Sequence, residues 1–499
     1  MCLPCILRFF LFLNCFFCTF VVVFLNVVTP YIIFKRMFYL IIVLFILGYV
    51  AIALEHNLSV DKAAIALITG ALIWVCVAFG CDTIYPSLPL FREYLQTHPD
   101  ASAIDFVTQH ELLKHLGNIS ELLFYLLGSM TIVEIIDGHG GFVMLAKVIK
   151  THNKVKLLWI FSFLSFFLSA ALDNLTATIL MITLMWKLIG GKNTRWFFAS
   201  MIVIAANAGG AWSPIGDITT LMLWIGGQVS AVNIIMQLFV PSLISMLVPL
   251  IIVSLSLKGE AVLPSSSERI KSLVPTTDRE RWIILLAGII GSLFVPVFKH
   301  ITHLPPYMGI LLVVGIMWIM TEIMHRKKQK EIKIRLTVTG ILKKVDTPTI
   351  FFLLGLLLAV AGIESAGHLN IVGQFLNENV RNIYAINFVI GALSSVVDNV
   401  PLVAGTMGMY EIVSPDALAA ITDPMQAAYM KHFVADGSFW ELLAYCAGTG
   451  GSILIVGSAA GVAAMGLAKV DFMWYLKKVS LLALIGYISG IAAYYLIVR

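Results

Sequence analysis

Charge is what this sequence has least of. Only 12% of its 499 residues are Asp, Glu, Lys or Arg, about half the share of a soluble domain. That excludes an ordinary water-soluble globular chain. The formal net charge of +5 forms no nucleic-acid-binding pattern. In a chain this apolar, Lys and Arg report loop orientation instead. Cysteine supplies no framework either. Of the seven, Cys2, Cys5, Cys15 and Cys18 lie at the extreme N-terminus, and Cys76, Cys81 and Cys446 lie in or beside apolar segments. The N-terminal pairs have CxxC spacing but sit among Phe and Leu, without polar support for zinc. No disulfide, no cysteine metal site and no cofactor is expected.

What the chain has instead is apolar runs of about 20 residues along its whole length, the signature of a polytopic all-α membrane protein. Residues 1–36 form a hydrophobic extension. It reads equally as an extra span, a leader without a clear cleavage site, or sequence upstream of a start at Met37. Spans follow at about 38–54, 63–80 and 119–136, with a polar connection at 82–117. A short apolar pair, 157–172 and 175–189, meets at Asp173-Asn174. An interrupted span, 196–225, breaks at Gly209–Asp217, and a long span covers 233–257. After a charged linker, 258–281, the order repeats: spans at 282–298, 307–324 and 348–363, a pair at 383–397 and 402–413, an interrupted span at 437–468 broken at Gly448–Gly457, and a last span at 473–497.

The repeat is visible in the residues themselves. Leu168-Ser169-x-x-x-Asp173-Asn174 matches Leu393-Ser394-x-x-x-Asp398-Asn399. Gly209-Gly210-(x)5-Gly216 follows the first, and Gly450-Gly451-(x)5-Gly457 the second. If each short pair is a hairpin that enters and leaves on one side, loops 137–156, 190–195, 258–281, 325–347 and 469–478 share a side and hold 4, 2, 5, 8 and 3 Lys or Arg. That side is cytoplasmic. Lys35 and Arg36 are exceptions, falling outside. The expected architecture is therefore two inverted repeats, 37–257 and 282–499, each with a re-entrant hairpin and an interrupted transmembrane helix, as in secondary transporters.

The breaks carry the chemistry. A carboxylate in hydrocarbon costs roughly 2.5–3.5 kcal/mol on insertion scales, so it is seldom there without a function. Freed carbonyls and the oxygens of Asp173, Asn174, Thr176, Asn207, Ser213, Asp217, Asp398, Asn399, Thr449 and Ser452 make a ligand set for a small hard cation. Pro214 and Pro401 remove backbone donors, and the glycine pairs permit open conformations. For a single Ser or Thr, bonding to its own backbone is as good a reading. A carboxylate that binds a cation can bind a proton instead, and one site open alternately to each side gives exchange. Asp173 and Asp398 are symmetry mates and the expected switch. Asp217 corresponds to Ser458 and so has an asymmetric role. Glu134, Asp137 and His139 at the end of the third span, and Glu364 and His368 at the matching place, are candidates for a proton path or pH sensing. They read equally as solvated helix ends.

At these motifs the chain resembles the NhaD-type sodium/proton antiporters. The matching stretches are VEIIDGHGGF (133–142), LDNLTATI (172–179), IAANAGGAWSPIGDITTLMLW (204–224) and SSVVDNVPLVAGTMGMY (394–410), with Gly138 where a small Ala is expected. The resemblance implies Na+ (or Li+)/H+ exchange, with Na+ at Asp173, Asp398 and Asp217. It also implies a homodimer in a bacterial inner or organelle membrane. A sodium-coupled carboxylate or other anion carrier of the same superfamily is the near alternative, though paired Asp-Asn tips repel an anion. An intramembrane aspartyl protease is the alternative of another class. Its Gly-x-Gly-Asp aligns on Pro214-Ile215-Gly216-Asp217, where the first glycine is missing.

Overall fold

A computed structural model describes residues 30–498, apart from 54, 150, 258, 260–275, 327 and 329–335. Cys2, Cys5, Cys15 and Cys18, with most of the N-terminal extension and of the 258–281 linker, lie outside the described residues. The described elements are helices, as hydrocarbon requires when each segment must pair its own backbone. Among them, eight are long and apolar enough to cross a membrane: Lys62–Ile84, Ala103–Gly138, Lys154–Leu172, Ala231–Ser256, Asp278–Thr302, Pro306–His325, Thr347–Ser365 and Ser480–Val498.

Two stretches depart from the expected spans. The connection at 82–117 is largely helical. Pro89–Thr97 is a helix, and the third span begins at Ala103 because Ser102 and Asp105 form a reciprocal capping box. That span continues through one π turn, Phe106–Glu111, so its polar first turns belong to the helix. The last span is divided into Phe472–Lys478 and Ser480–Val498.

The chain packs as two compact units, each drawn from both sequence halves. One comprises the chain up to Leu123 with Asp346–Phe375. In it Lys62–Ile84 packs along Thr347–Ser365. Gly70 and Gly355 lie at the crossing: a Cβ on Gly70 would sit 2.5 Å from the Gly355 carbonyl oxygen, and one on Gly355 would strike the Ala66 backbone. Small residues there let the backbones approach. Trp74 Nε1 donates to the Leu358 carbonyl at 2.9 Å across the same seam.

The second unit comprises Phe124–Val345 and Leu376–Arg499. It holds both short pairs, Lys154–Leu172 with Asn174–Leu188 and Ile383–Leu393 with Asn399–Met409. It also holds both interrupted helices, Lys192–Ala211 with Ile218–Ile225 and Ser438–Gly450 with Ala459–Ala468. The first helix of each pair packs on the interrupted helix of its own half. The remaining short helices cross over: Asn174–Leu188 packs on Ala459–Ala468, and Ile218–Ile225 on Asn399–Met409. The long helices Ala231–Ser256 and Ser480–Val498 lie together.

The glycine pairs do not open the backbone as expected. The helices run through Gly209, Gly210 and Gly450, and the breaks begin only at 212 and 451. A Cβ on Gly209 would overlap the Phe166 carbonyl, and one on Gly450 the Gly391 carbonyl. Glycine is needed there for close approach of two helices. Matched hydroxyls stitch the same contacts: Ser169 Oγ donates to the Ala206 carbonyl at 2.6 Å and Ser394 Oγ to the Ala447 carbonyl at 2.9 Å.

Gly355→Val should lower stability by about 1–3 kcal/mol, because the added atoms meet backbone that cannot rotate away. A fall in the thermal unfolding midpoint in detergent, with Gly315→Val, which meets nothing within 4 Å, as control, checks this.

Candidate functional site

The site is built from helix ends. At each of the four junctions a helix terminates with free carbonyls and the next one starts with free amides. The residues opening the second helices are Asp173, Asp217, Asp398 and Ser458. Asp173 caps its helix fully: Oδ1 accepts from the Thr176 backbone amide at 2.7 Å and Oδ2 from Thr176 Oγ1 at 2.8 Å. It does so at φ 144°, a conformation unfavourable for a residue with a Cβ and worth noting at a functional site. Asp217 caps through the Thr219 amide at 3.1 Å, and Ser458 through the Gly461 amide at 3.2 Å.

Asp217 is the hub. It is 2% exposed. Asn174, at the tip of the first pair, donates Nδ2 to Asp217 Oδ2 at 2.8 Å. Asn399, at the tip of the second pair, donates Nδ2 to Oδ2 at 3.3 Å and Oδ1 at 3.4 Å. Asn174 also donates to Asn207 Oδ1 at 3.2 Å. Asn207, fully buried, donates to Ser452 Oγ and Ser458 Oγ, both at 2.9 Å. One network therefore joins both tips and both breaks. Asp398 and Asp173 lie within electrostatic reach of Asp217, and both are half-buried.

The expected residues divide accordingly. Asn174, Asn207, Asp217, Asn399 and Ser452 are brought together by direct bonds. Thr176 serves Asp173. Ser213 Oγ donates to the Ala170 carbonyl at 2.6 Å, tying the first break to its hairpin. Thr449 Oγ1 is bonded to the Tyr445 carbonyl of its own helix at 2.6 Å, the backbone role that competes with ligation. Glu134 is half-buried, within reach of Asp137 and Lys344, and Asp137 is exposed. Glu364 is half-buried in the other unit. His368 is buried against the Phe38 ring, and burial pushes its pKa down to about 4.

Sequence reasoning treated Ser458 only as the counterpart of Asp217, and missed its bond to Asn207. The shared register of the two Gly-Gly-(x)5-Gly motifs was the available signal. The buried hydroxyl of Thr178, one turn beyond Asn174, has no hydrogen-bond partner among the described residues. Among the described residues no three His, Cys, Asp or Glu gather into a set that could hold a metal ion. Oxygen in the network comes from the Asn207 amide and the Ser452 and Ser458 hydroxyls beside one central carboxylate. A cavity of about 1020 Å³ reaches the first break, lined by Trp212, Ser213, Pro214, Leu168, Lys299 and Asp436 among others.

Paired broken helices meeting at a buried carboxylate, among many helices apolar and long enough to cross a membrane, define a multi-pass integral membrane protein. Residues 49–430 match a family model described as "Citrate transporter". The chain is 41% identical over 453 residues to "Sodium/proton antiporter 1" of Arabidopsis thaliana, covering 90% of this chain and 71% of that one. It is 39% identical over 452 residues to "Sodium/proton antiporter 2" of the same plant, covering 90% and 97%. It is 30% identical over 488 residues to "Na(+)/H(+) antiporter NhaD" of Vibrio cholerae, covering 92% and 91%. The chain belongs to the NhaD-type sodium/proton antiporter family.

Asn207→Ala removes the donor to two buried hydroxyls and the acceptor of Asn174. It should cost about 1–3 kcal/mol. Thr449→Ala, losing only a bond to its own helix, should stay within about 0.5 kcal/mol. Thermal unfolding of the two variants in detergent separates a shared network from independent polar groups.

Proposed function

We propose that this protein exchanges Na+ (or Li+) for H+ by alternating access to the Asp217 hub, with 37–257 and 282–499 acting as inverted repeats around it. The observation that carries this reading is the convergence of Asn174 and Asn399, one from each hairpin tip, on one buried carboxylate. Support for the repeats comes from the crossed packing of the short helices and the matched serine and glycine contacts.

The chemistry follows from what each partner can offer. Ionised Asp217 accepts from Asn174, Asn399 and the Thr219 amide. A proton on Asp217 turns one acceptor into a donor, so one amide must swing away. A Na+ ion at the hub needs oxygen around it, so the Asn174 and Asn399 amides would turn Oδ1 inward in place of Nδ2. The same carboxylate cannot serve both cargoes at once. Asp173, held by Thr176, and Asp398 set the negative field that favours a cation at the helix ends. The cavity beside Pro214 gives a route to the first break.

The family model's description favours a second reading, uptake of citrate. The Asp217 carboxylate, with Asp173 and Asp398 within electrostatic reach, opposes it, since a tricarboxylate there would meet like charge. Everted vesicles decide between them. Na+-driven proton movement is expected in the wild type and should fall at least about tenfold in Asp217→Asn, the equivalent of ~1.4 kcal/mol. Asp173→Asn and Asp398→Asn should fall likewise. Full exchange in Asp217→Asn would sink the hub assignment. Labelled citrate uptake without Na+-driven proton movement would establish the second reading.

A further inference from the structure

Two histidines outside the hub face one another in the same unit. His139 follows the helix ending at Gly138, and His325 ends the helix Pro306–His325. They are 0% and 1% exposed. Their Nε2 atoms are 2.8 Å apart and their rings are stacked at 18°. His139 Nδ1 lies 2.6 Å from the Ile135 carbonyl. A carbonyl only accepts, so Nδ1 carries a proton, and the neutral His139 presents a lone pair at Nε2. His325 must then donate Nε2–H into it. Its own Nδ1 is left as a buried lone pair, with no hydrogen-bond partner among the described residues.

We propose that this pair is a proton-binding latch, separate from the hub, that ties the two helix ends while neutral and releases them when doubly protonated. The first added proton goes to the vacant Nδ1 of His325 and leaves the Nε2 bridge intact. The second puts N–H on both facing nitrogens, and the bridge is lost to repulsion between two cations. Among the described residues the neighbouring charges are held in pairs of their own. Lys328, just after His325, is paired with Glu280 of Asp278–Thr302 at 2.9 Å. Arg281 donates to Thr276 Oγ1 at 3.0 Å, and that hydroxyl donates to the His139 carbonyl at 2.8 Å. Lys147 is paired with Asp278. Asp137 and Glu134 lie on the helix that His139 follows, with Lys344 near Glu134. Among the described residues, Glu280 lies within electrostatic reach of both histidines and is already engaged by Lys328.

The latch has a physical line to transport. Ten residues before His139, about 15 Å along the helix, Ser129 donates to the Leu172 carbonyl at 3.4 Å. Leu172 is the residue before Asp173, and Tyr125, one turn further, lies within electrostatic reach of Asp173. Releasing the His139 end loosens the helix that abuts the first tip.

This inference rests on the exchange reading for its transport readout but not for its structural one. His325→Gln keeps an N–H donor for His139 but cannot be protonated. In vesicles its exchange rate at alkaline pH should match the wild type within about twofold, while the acid limb of the profile moves down by at least about half a pH unit. Superimposable profiles would overturn the latch. Independently of any variant, amide hydrogen exchange of the 135–144 segment of the wild-type protein, with labelling times corrected for pH, should lose protection as pH falls from about 8 to about 4. Unchanged protection would also overturn it. Loss of Na+ dependence in the wild-type profile would count against the exchange reading alone, because the hydrogen-exchange result stands without transport.

Discussion

The structure of the second unit turns on one buried carboxylate. Burying Asp217 is costly unless it is hydrogen-bonded, and the chain answers by bringing amide donors to it from both tips. Asn174 and Asn399 can reach it only because the helices stop short at the tips. Two helices that crossed unbroken would have no free ends to present. Hence the breaks, the capping residues and the close glycine contacts are parts of one requirement, which is to place polar helix ends against one another without water.

That requirement also explains the asymmetry between halves. The first break caps its helix with Asp217 and the second with Ser458, at the same register after the glycine pair. Two aspartates at that register would face each other across the network held by Asn207. With a serine in the second position, the hydroxyl instead accepts from Asn207 Nδ2, and the carboxylate bonded to both tips comes from the first break. The outer aspartates, Asp173 and Asp398, stay half-buried, within electrostatic reach of Asp217.

The latch and the hub are two uses of the same economy of charge. Several titratable groups inside this unit are held by a specific neighbour: Asp173 by Thr176, Asp217 by two amides, and His139 by His325. Glu441 is a further instance, buried and bonded to Asn233 and Tyr494. A proton arriving at any of these changes a hydrogen bond and not merely a charge, which is how a small titration moves a helix.

Much of this was legible in the residues. Apolar run length determined the helical membrane class, because no other open structure can pair its backbone in lipid. The recurrence of Leu-Ser-x-x-x-Asp-Asn and Gly-Gly-(x)5-Gly located both tips and both breaks within a few residues. The chain's own pattern could not say that Asp217 rather than Asp173 is the hub, nor that Gly209 and Gly450 serve close approach instead of unwinding. It could not pair His139 with His325, 186 residues away, or extend the third span back to Ala103. Each of those depends on which distant side chain or backbone atom arrives at a given place. Periodicity and composition are set by a residue's neighbours along the chain, whereas hydrogen-bond partners across the unit are decided only when the helices cross.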